Sequence, residues 1–283
     1  MDASLRALKP YVQTLLKRAG LYHRLTASPI YDLYWRFADR RVIDDRQREV
    51  EFYRHLLKGF RSGDLIFDVG ANDGYKTDIF LRLGARVVAL EPDQLSQEAL
   101  KQKFLRHRLT PKPVTVVDKA VSDRNTIETM WITAPGSAKN TLSWKWVETL
   151  RDDERRFGQK LHFSQKQQIE TLTLEQLITT HGLPLFVKID VEGHEPSVLR
   201  GLQRPVPYLS FEVNLPEFKP EGLECVELLR RLAGDGKFNY AADCRHGLAL
   251  ERWLDSAEFA PMLDACAENS IEVFWKTSIP SRW

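Results

Sequence analysis

Two stretches of this chain have the residue types and the spacing to do chemistry. The first is Asp68-Val-Gly70-Ala71-Asn72-Asp73-Gly74, which follows directly on the apolar run Leu65–Val69 and precedes a helical pattern from Tyr75 to Leu83. Strand, glycine turn and helix bring backbone N–H groups against a ligand at the first crossover of an α/β sheet. Glycine serves where the backbone must come close or adopt positive φ. The next apolar run ends in Glu91-Pro92. An acid about 20 residues after the first glycine can accept hydrogen bonds from both ribose hydroxyls of an adenosine cofactor.

Two nucleoside cofactors could use this arrangement. Nicotinamide enzymes carry GxGxxG, whose helix N-terminus receives a pyrophosphate. Here the glycines are spaced GxxxG, and Asp68 and Asp73 flank the turn. Carboxylates repel a pyrophosphate but attract the ammonium and sulfonium of S-adenosyl-L-methionine, so the charge pattern favours the methyl donor over NAD. The expected cofactor contacts are Asp68, Gly70, Ala71, Asn72, Gly74, Glu91 and Pro92. After the third apolar run, Asp118 or the backbone near Ala120 is placed to meet the adenine edge.

The second stretch is Lys188-Ile-Asp190-Val-Glu192-Gly-His194-Glu195. Strand alternation puts Lys188, Asp190 and Glu192 on one side. Ser210, Glu212 and Asn214 repeat the pattern in a second run. Buried parallel strands are ordinarily apolar on both faces, so two polar-sided strand ends mark the crevice where doubly wound sheets bind ligands. An ion pair of Lys188 with Glu192 or Glu212 would explain part of the pattern without chemistry. For deprotonating an acceptor the candidates are His194 and Asp190, with Glu212 behind them, and Asp190 also counts as a cofactor contact. No metal is expected; were one present, Asp190, Glu212 and Asn214 would hold it, with Mg²⁺ as the natural ion.

Short Val/Ile/Leu runs at Leu65–Val69, Val87–Leu90, Val114–Val117, Leu185–Ile189, Leu209–Val213 and Ile271–Trp275 alternate with amphipathic stretches. That is the pattern of a doubly wound, mostly parallel sheet in an α/β domain. Residues 1–62 read as a helical N-terminal extension, basic and aromatic, that caps a substrate or docks on the domain. Residues 63–283 form the domain, with an inserted flap at about 124–168 that holds an edge strand, Glu128–Ile132, and a helical stretch with Trp144 and Trp146. The first 18 residues place Leu5, Leu8, Val12, Leu15 and Leu16 beside four cations. Such a helix docks on its own domain or makes peripheral contact with an anionic membrane surface.

Lys+Arg 41 against Asp+Glu 39 leaves a net charge of +2, with no global drive toward nucleic acid. No Asn/Asp-Pro-Pro-aromatic motif is present to hold an exocyclic base amine, and no cysteine follows a proline as a C5-attacking nucleophile would. The three cysteines lack metal-ligand spacing and suit a reduced compartment. No run approaches the roughly 18 apolar residues of a membrane span. A cytoplasmic enzyme is the expectation, possible membrane contact being confined to the N-terminal helix.

The chain resembles the FkbM family of methyltransferases. The matching segments are Asp68–Gly74, Glu91-Pro92, Ala120-Val-Ser-Asp123, Thr171-Leu-Thr-Leu-Glu-Gln-Leu177, Lys188–Glu195 and Phe211-Glu-Val213, in the family's order over about residues 50 to 215. The resemblance implies a class I, Rossmann-like fold with a seven-stranded sheet, closed by strands around Phe238 and Val273. It also implies S-adenosylmethionine-dependent O-methylation of a hydroxyl on a sugar, glycan or secondary metabolite, so the expected partner is a small-molecule or glycan acceptor. A Rossmann-type NAD-dependent dehydrogenase and a non-catalytic S-adenosylmethionine-binding scaffold are the alternatives.

Overall fold

The computed structural model describes residues 40–105, 114–151, 154, 156 and 160–278. The N-terminal helix, expected to dock on the domain or to make peripheral membrane contact, lies in 1–39, outside the described residues. The chain begins with α1 (Arg40–Leu56), β1 (Leu65–Val69), α2 (Tyr75–Leu83), β2 (Arg86–Leu90), α3 (Gln94–Lys103) and β3 (Val114–Val117). Next come β4 (Ala120–Val121), β5 (Ile127–Ile132), α4 (Trp144–Arg151), β6 (Gln165–Leu172) and α5 (Leu174–His181). The last part holds β7 (Phe186–Ile189), α6 (Glu195–Arg200), β8 (Tyr208–Asn214), α7 (Lys219–Leu232), β9 (Lys237–Ala241), α8 (Ser256–Asp264) and β10 (Ser270–Lys276).

Seven strands form one sheet in the order β3-β2-β1-β7-β8-β10-β9. Neighbours are parallel except around β10, which runs antiparallel to β8 and β9. This is the expected doubly wound α/β sheet, with order reversing between β1 and β7. Unbroken apolar runs form its centre: every residue of β1 and β7 is buried. Leu177, Val198, Val226 and Phe259 of α5 to α8 pack on one face, against Phe67, Ile189 and Phe211. Tyr53, Phe80 and Leu100 of α1 to α3 cover the other, against Ile66 and Phe186. Each such side chain contributes about 1.5–3 kcal/mol when fully buried. Side-chain caps fix three helix starts: Asp93 accepts from the N–H groups of Leu95 and Ser96, Thr173 from that of Gln176, and Asp255 from that of Glu258.

The helix α1 falls within the N-terminal extension expected for 1–62, yet its described residues belong to the domain core. Tyr53 is fully buried, its ring edge-on to Phe80 at 5.0 Å. The inserted flap contains β5 and α4, and with β4 and β6 it builds a second sheet in the order β4-β6-β5. Strand β6 escapes a hydrophobicity reading because four of its first residues, Gln165 to Gln168, are exposed polar side chains. The two flap tryptophans part company: Trp146 is buried against Phe218, whereas exposed Trp144 leans on Trp131.

On the α1/α2 face the sheet carries Asp68, Lys188 and Ser210, side by side in register and buried. Burying charge in a sheet centre costs stability unless the charges are paired, and these residues point at the C-terminal edge where the site lies.

Candidate active site

The glycine turn is shaped first by the protein's own packing. Gly70 has φ 80°, and a Cβ there would lie 1.8 Å from the carbonyl oxygen of Asp190. The loop and the β7 end therefore touch backbone to backbone, which no other residue permits. At Gly74, with φ 77°, a Cβ would meet Leu100 and Phe104 at 2.6 Å. The N–H groups of Gly70 and Ala71 both donate to Leu90 O, and that of Gly74 to Ala71 O. Little of the turn's donor capacity is left for a ligand.

Asn72 turns outward at φ 45° and donates its N–H to Glu91 Oε2 at 2.8 Å. Glu91 Oε1 accepts from Asp93 N at 2.8 Å. Two backbone donors thus orient a nearly buried carboxylate, and each oxygen keeps a lone pair. Burial raises the Glu91 pKa to about 7 against these hydrogen bonds. The cleft beside it is walled by Val69, Leu90, Val121, Met130 and Leu142, with Gly70, Asn72, Glu91, Pro92, Ala120, Asp190 and His194 among its other lining residues. Of the other expected contacts, Asp68 lies buried beneath the loop and accepts from Thr77 Oγ1 at 2.6 Å. Ala71 is in the core, Gly74 caps α2, and Asp118 is exposed outside the cleft.

At the end of β7, Asp190 Oδ2 accepts from Lys188 Nζ at 2.9 Å, and Asp68 Oδ1 is 3.9 Å from the same ammonium. The lysine's partners are thus Asp190 and Asp68, not Glu192 or Glu212. Burial disfavours the Asp190 anion, but Lys188 outweighs it and holds the pKa low. Carboxyl oxygens of Asp190, Glu192 and Glu212 all lie within 4.8 Å of one another. Burial, then Asp190, pushes Glu212 up to about 8. Burial raises Glu195 to about 7 and Glu192 well above its ordinary value, where neighbouring carboxylates add to it. Of these four acids only Asp190 is paired with the buried ammonium.

These features lie within the segment that matches a family model, the methyltransferase FkbM domain, over residues 68–235. The chain belongs to the FkbM methyltransferase family. It is 28% identical over 187 residues to the 31-O-demethyl-FK506 methyltransferase FkbM of Streptomyces tacrolimicus, covering 59% of this chain and 68% of that one. With the hexuronic acid methyltransferase AglP of Haloferax volcanii it shares 25% over 197 residues, 69% and 70% of the two chains. The crystal structure of a methyltransferase FkbM from Methylobacillus flagellatus aligns with a TM-score of 0.49 at 16% identity, spanning 78% of this chain and 46% of that one.

As an FkbM-family methyltransferase the protein uses S-adenosylmethionine, and the residues present fit that donor. Glu91 offers two free lone pairs for a diol, the apolar walls suit a flat purine, and the acid cluster suits a sulfonium and an ammonium. The flap covers this family cleft: Gly136 N and Asn140 Nδ2 donate to Asp93 at 2.9 and 3.1 Å, and Thr141 Oγ1 donates to Glu192 O at 2.8 Å. Asp93, Met130, Asn140 and Thr141 escape a sequence reading. Only Asp93 gives a signal, as an N-cap before α3.

His194, at the start of α6, also faces the cleft. Its Nε2 lies 3.0 Å from Ser122 Oγ and 3.9 Å from Glu128 Oε2, and burial lowers its pKa despite Glu128. Asn214 adjoins the acid cluster without offering it an oxygen. Its amide nitrogen donates to Glu212 Oε2, and its oxygen accepts from Arg156 Nη1 at 2.8 Å. A cation here would meet Asp190, Glu192 and Glu212 instead.

A second cavity, about 360 Å³, opens on the other side of Asp190, between the ends of β7, β8 and β10 and the start of α2. Glu49, Lys76, Glu212 and Glu272 line it. Lys76 donates to Glu49 and Glu272, while Glu272 also accepts from Ser210 Oγ at 2.7 Å.

Proposed function

We propose that this enzyme methylates a hydroxyl oxygen of a sugar, glycan or secondary metabolite, held in the cavity between the ends of β7, β8 and β10, with Asp190 receiving the hydroxyl proton. One observation carries the reading: Asp190 lines both the cofactor cleft and this second cavity. Relatives named for a hexuronic acid and for 31-O-demethyl-FK506 support an oxygen acceptor.

S-adenosylmethionine, when bound, supplies a methyl carbon already activated by its sulfonium. The chain's part is to align an acceptor oxygen with that carbon and to take a proton. Alignment can contribute about 7–11 kcal/mol, and a positioned base about 10²–10⁴-fold. Asp190 stays ionised because Lys188 neutralises it. Glu212, protonated up to about pH 8, shares a hydrogen bond with it. With the donor bound, Asp190 would take the proton that the acceptor hydroxyl gives up on methylation. His194, neutral and held by Ser122, shapes the cofactor side.

The test is mass spectrometry of cell-envelope glycans and small metabolites after incubation with isotopically labelled S-adenosylmethionine, followed by kinetics of two variants on the labelled acceptor. Asp190→Asn should abolish turnover while S-adenosylhomocysteine still binds, and His194→Ala should cost less than about tenfold. A silent Asp190→Asn with an inactive His194→Ala that loses the near-neutral limb of its pH profile would reassign the base to His194.

A further inference from the structure

A further cavity, about 780 Å³, is neither of those used above. It is an open groove between α1 and the segment that follows β9. It runs along the α1 face of the sheet toward the edge opposite the active site, where Tyr208 and Lys276 pair in register. Three aromatic side chains, Phe52, Tyr208 and Trp253, line it, with no aromatic partner closing it from outside among the described residues.

Its charge is opposite in sign to the catalytic cavity. Two acids, Asp44 and Glu51, face six basic side chains in the groove. Arg48 and Arg245 are engaged with Asp45, and Arg245 also with Asp243. Lys58 and Lys276 are different: among the described residues neither forms an ion pair. Lys276 lies 4.3 Å over the Trp253 ring. Burial, then the neighbouring Lys58, lowers the Lys276 pKa, the mark of two ammonium groups facing one space with no anion between them.

The catalytic cavity is lined by four carboxylates, Glu49, Asp190, Asp243 and Glu272, beside the protonated Glu212, and each of its three cations already has a carboxylate partner. An anionic group on an acceptor would be repelled there and attracted in the groove. Cys244 and Arg245 line both spaces. Glu272 in one and Lys276 in the other are four residues apart on β10, about 13 Å of strand. A single extended acceptor can reach both.

Building on the acceptor reading above, we infer that this groove is a subsite for a negatively charged, ring-bearing part of the acceptor, a uronate or a glycosyl phosphate, seated on Trp253 and Tyr208 between Lys58 and Lys276. The reacting hydroxyl then belongs to a different, uncharged part of the same molecule. Charge thus sets the acceptor's orientation.

The experiment is calorimetric titration of the full chain, saturated with S-adenosylhomocysteine, at low and at physiological salt. Three probes serve: an oligoglucuronate, a glucose oligomer of equal length, and glucose 1-phosphate. The oligoglucuronate, the sugar phosphate or both should bind, and the neutral oligomer should bind more weakly; which anion binds identifies its source. Lys58→Ala and Lys276→Ala should each weaken anion binding about two- to fivefold at low salt, with the effect shrinking as salt screens it. Unchanged melting temperature and unchanged S-adenosylhomocysteine affinity would show both variants folded with the cofactor cleft intact. Equal binding of charged and neutral oligomers, no binding of any probe, or full affinity in both variants would overturn the inference. The Asp190→Asn and labelling results decide the methyl-transfer reading separately.

Discussion

Lys188 lies at the junction of stability and chemistry, and replacing it by methionine separates the two. The side chain is 4% exposed, with its ammonium 2.9 Å from Asp190 and 3.9 Å from Asp68. Asp68 is 0% exposed, and its Oδ1 has no hydrogen-bond donor among the described residues, so the lysine is its nearest compensation. Removing one member of a buried pair and stranding the other costs about 3–5 kcal/mol, a large share of the roughly 5–15 kcal/mol that holds a domain together. At about 2–4 °C per kcal/mol for a domain of this size, Lys188→Met should melt about 6–20 °C below the wild type at pH 7. Asp68→Asn in the same chain removes the stranded charge, keeps an acceptor for Thr77, and should recover much of the loss.

The sign with pH follows from Asp190. Lys188 depresses its pKa, so the pair contributes stability above the ordinary aspartate value and loses it as pH falls through the depressed one. In Lys188→Met the two carboxyls are left with burial unopposed, which favours their protonated forms, so the variant recovers stability as pH falls and its deficit should shrink between pH 7 and pH 4. Calorimetric melting at both pH values, on the single and double variants, reads all of this. A single variant melting within about 2 °C of wild type, or a double variant no better than the single, would refute the view that Lys188 compensates two buried carboxylates.

Three further outcomes are expected. S-adenosylhomocysteine at about 100 times its dissociation constant should stabilise the fold by about 2.7 kcal/mol, while NAD shifts the melting curve not at all; the reverse would overturn the cofactor assignment. Activity should survive EDTA, because Lys188 already neutralises Asp190; loss restored by Mg²⁺ would assign Asp190, Glu192 and Glu212 to a cation. Without cofactor, melting should fall between pH 5 and pH 8.5. Glu91, Glu195 and Glu212 are raised to about 7, 7 and 8, so their contribution is complete below the ordinary glutamate value and is lost as pH climbs through the raised ones. A melting temperature that rises over that range would contradict the burial of these carboxyls.

What the sequence made legible follows from its periodicities. Apolar runs such as Leu65–Val69 and Leu185–Ile189 announce buried parallel strands, and alternation from Lys188 to Glu192 announces a polar strand end. Both readings depend on local pattern alone. Strand β6 stayed hidden because its first four residues, paired only with β5 and covered on neither face, are free to be Gln and Lys. The role of Asn214 was misjudged for a different reason. Its strand face was right, but Arg156, 58 positions earlier, takes its oxygen. The flap residues Asn140 and Thr141 reach the cleft only through tertiary contacts with Asp93 and Glu192, which no spacing encodes. The glycines were legible as a turn, yet what demands Gly70 is the carbonyl of Asp190.

The crowding of Asp190, Glu192, Glu195 and Glu212 around one lysine is unfavourable by itself. Burial first, and then the neighbouring carboxylates, raises the pKa values of the three glutamates, so the four groups do not all ionise together. A cationic ligand resolves it. Bringing positive charge to the cluster lets the carboxyls release protons, so affinity for S-adenosylmethionine should strengthen as pH rises from about 6 to 8.5. Once the methyl group has left, the sulfur is neutral and that source of attraction is gone. Affinity for S-adenosylhomocysteine should therefore climb less steeply over the same range. The same carboxyls would then favour donor entry and product departure without any movement of the sheet. Parallel pH dependences for the two ligands, measured by calorimetry in one buffer series, would show instead that the cluster does not sense the sulfonium.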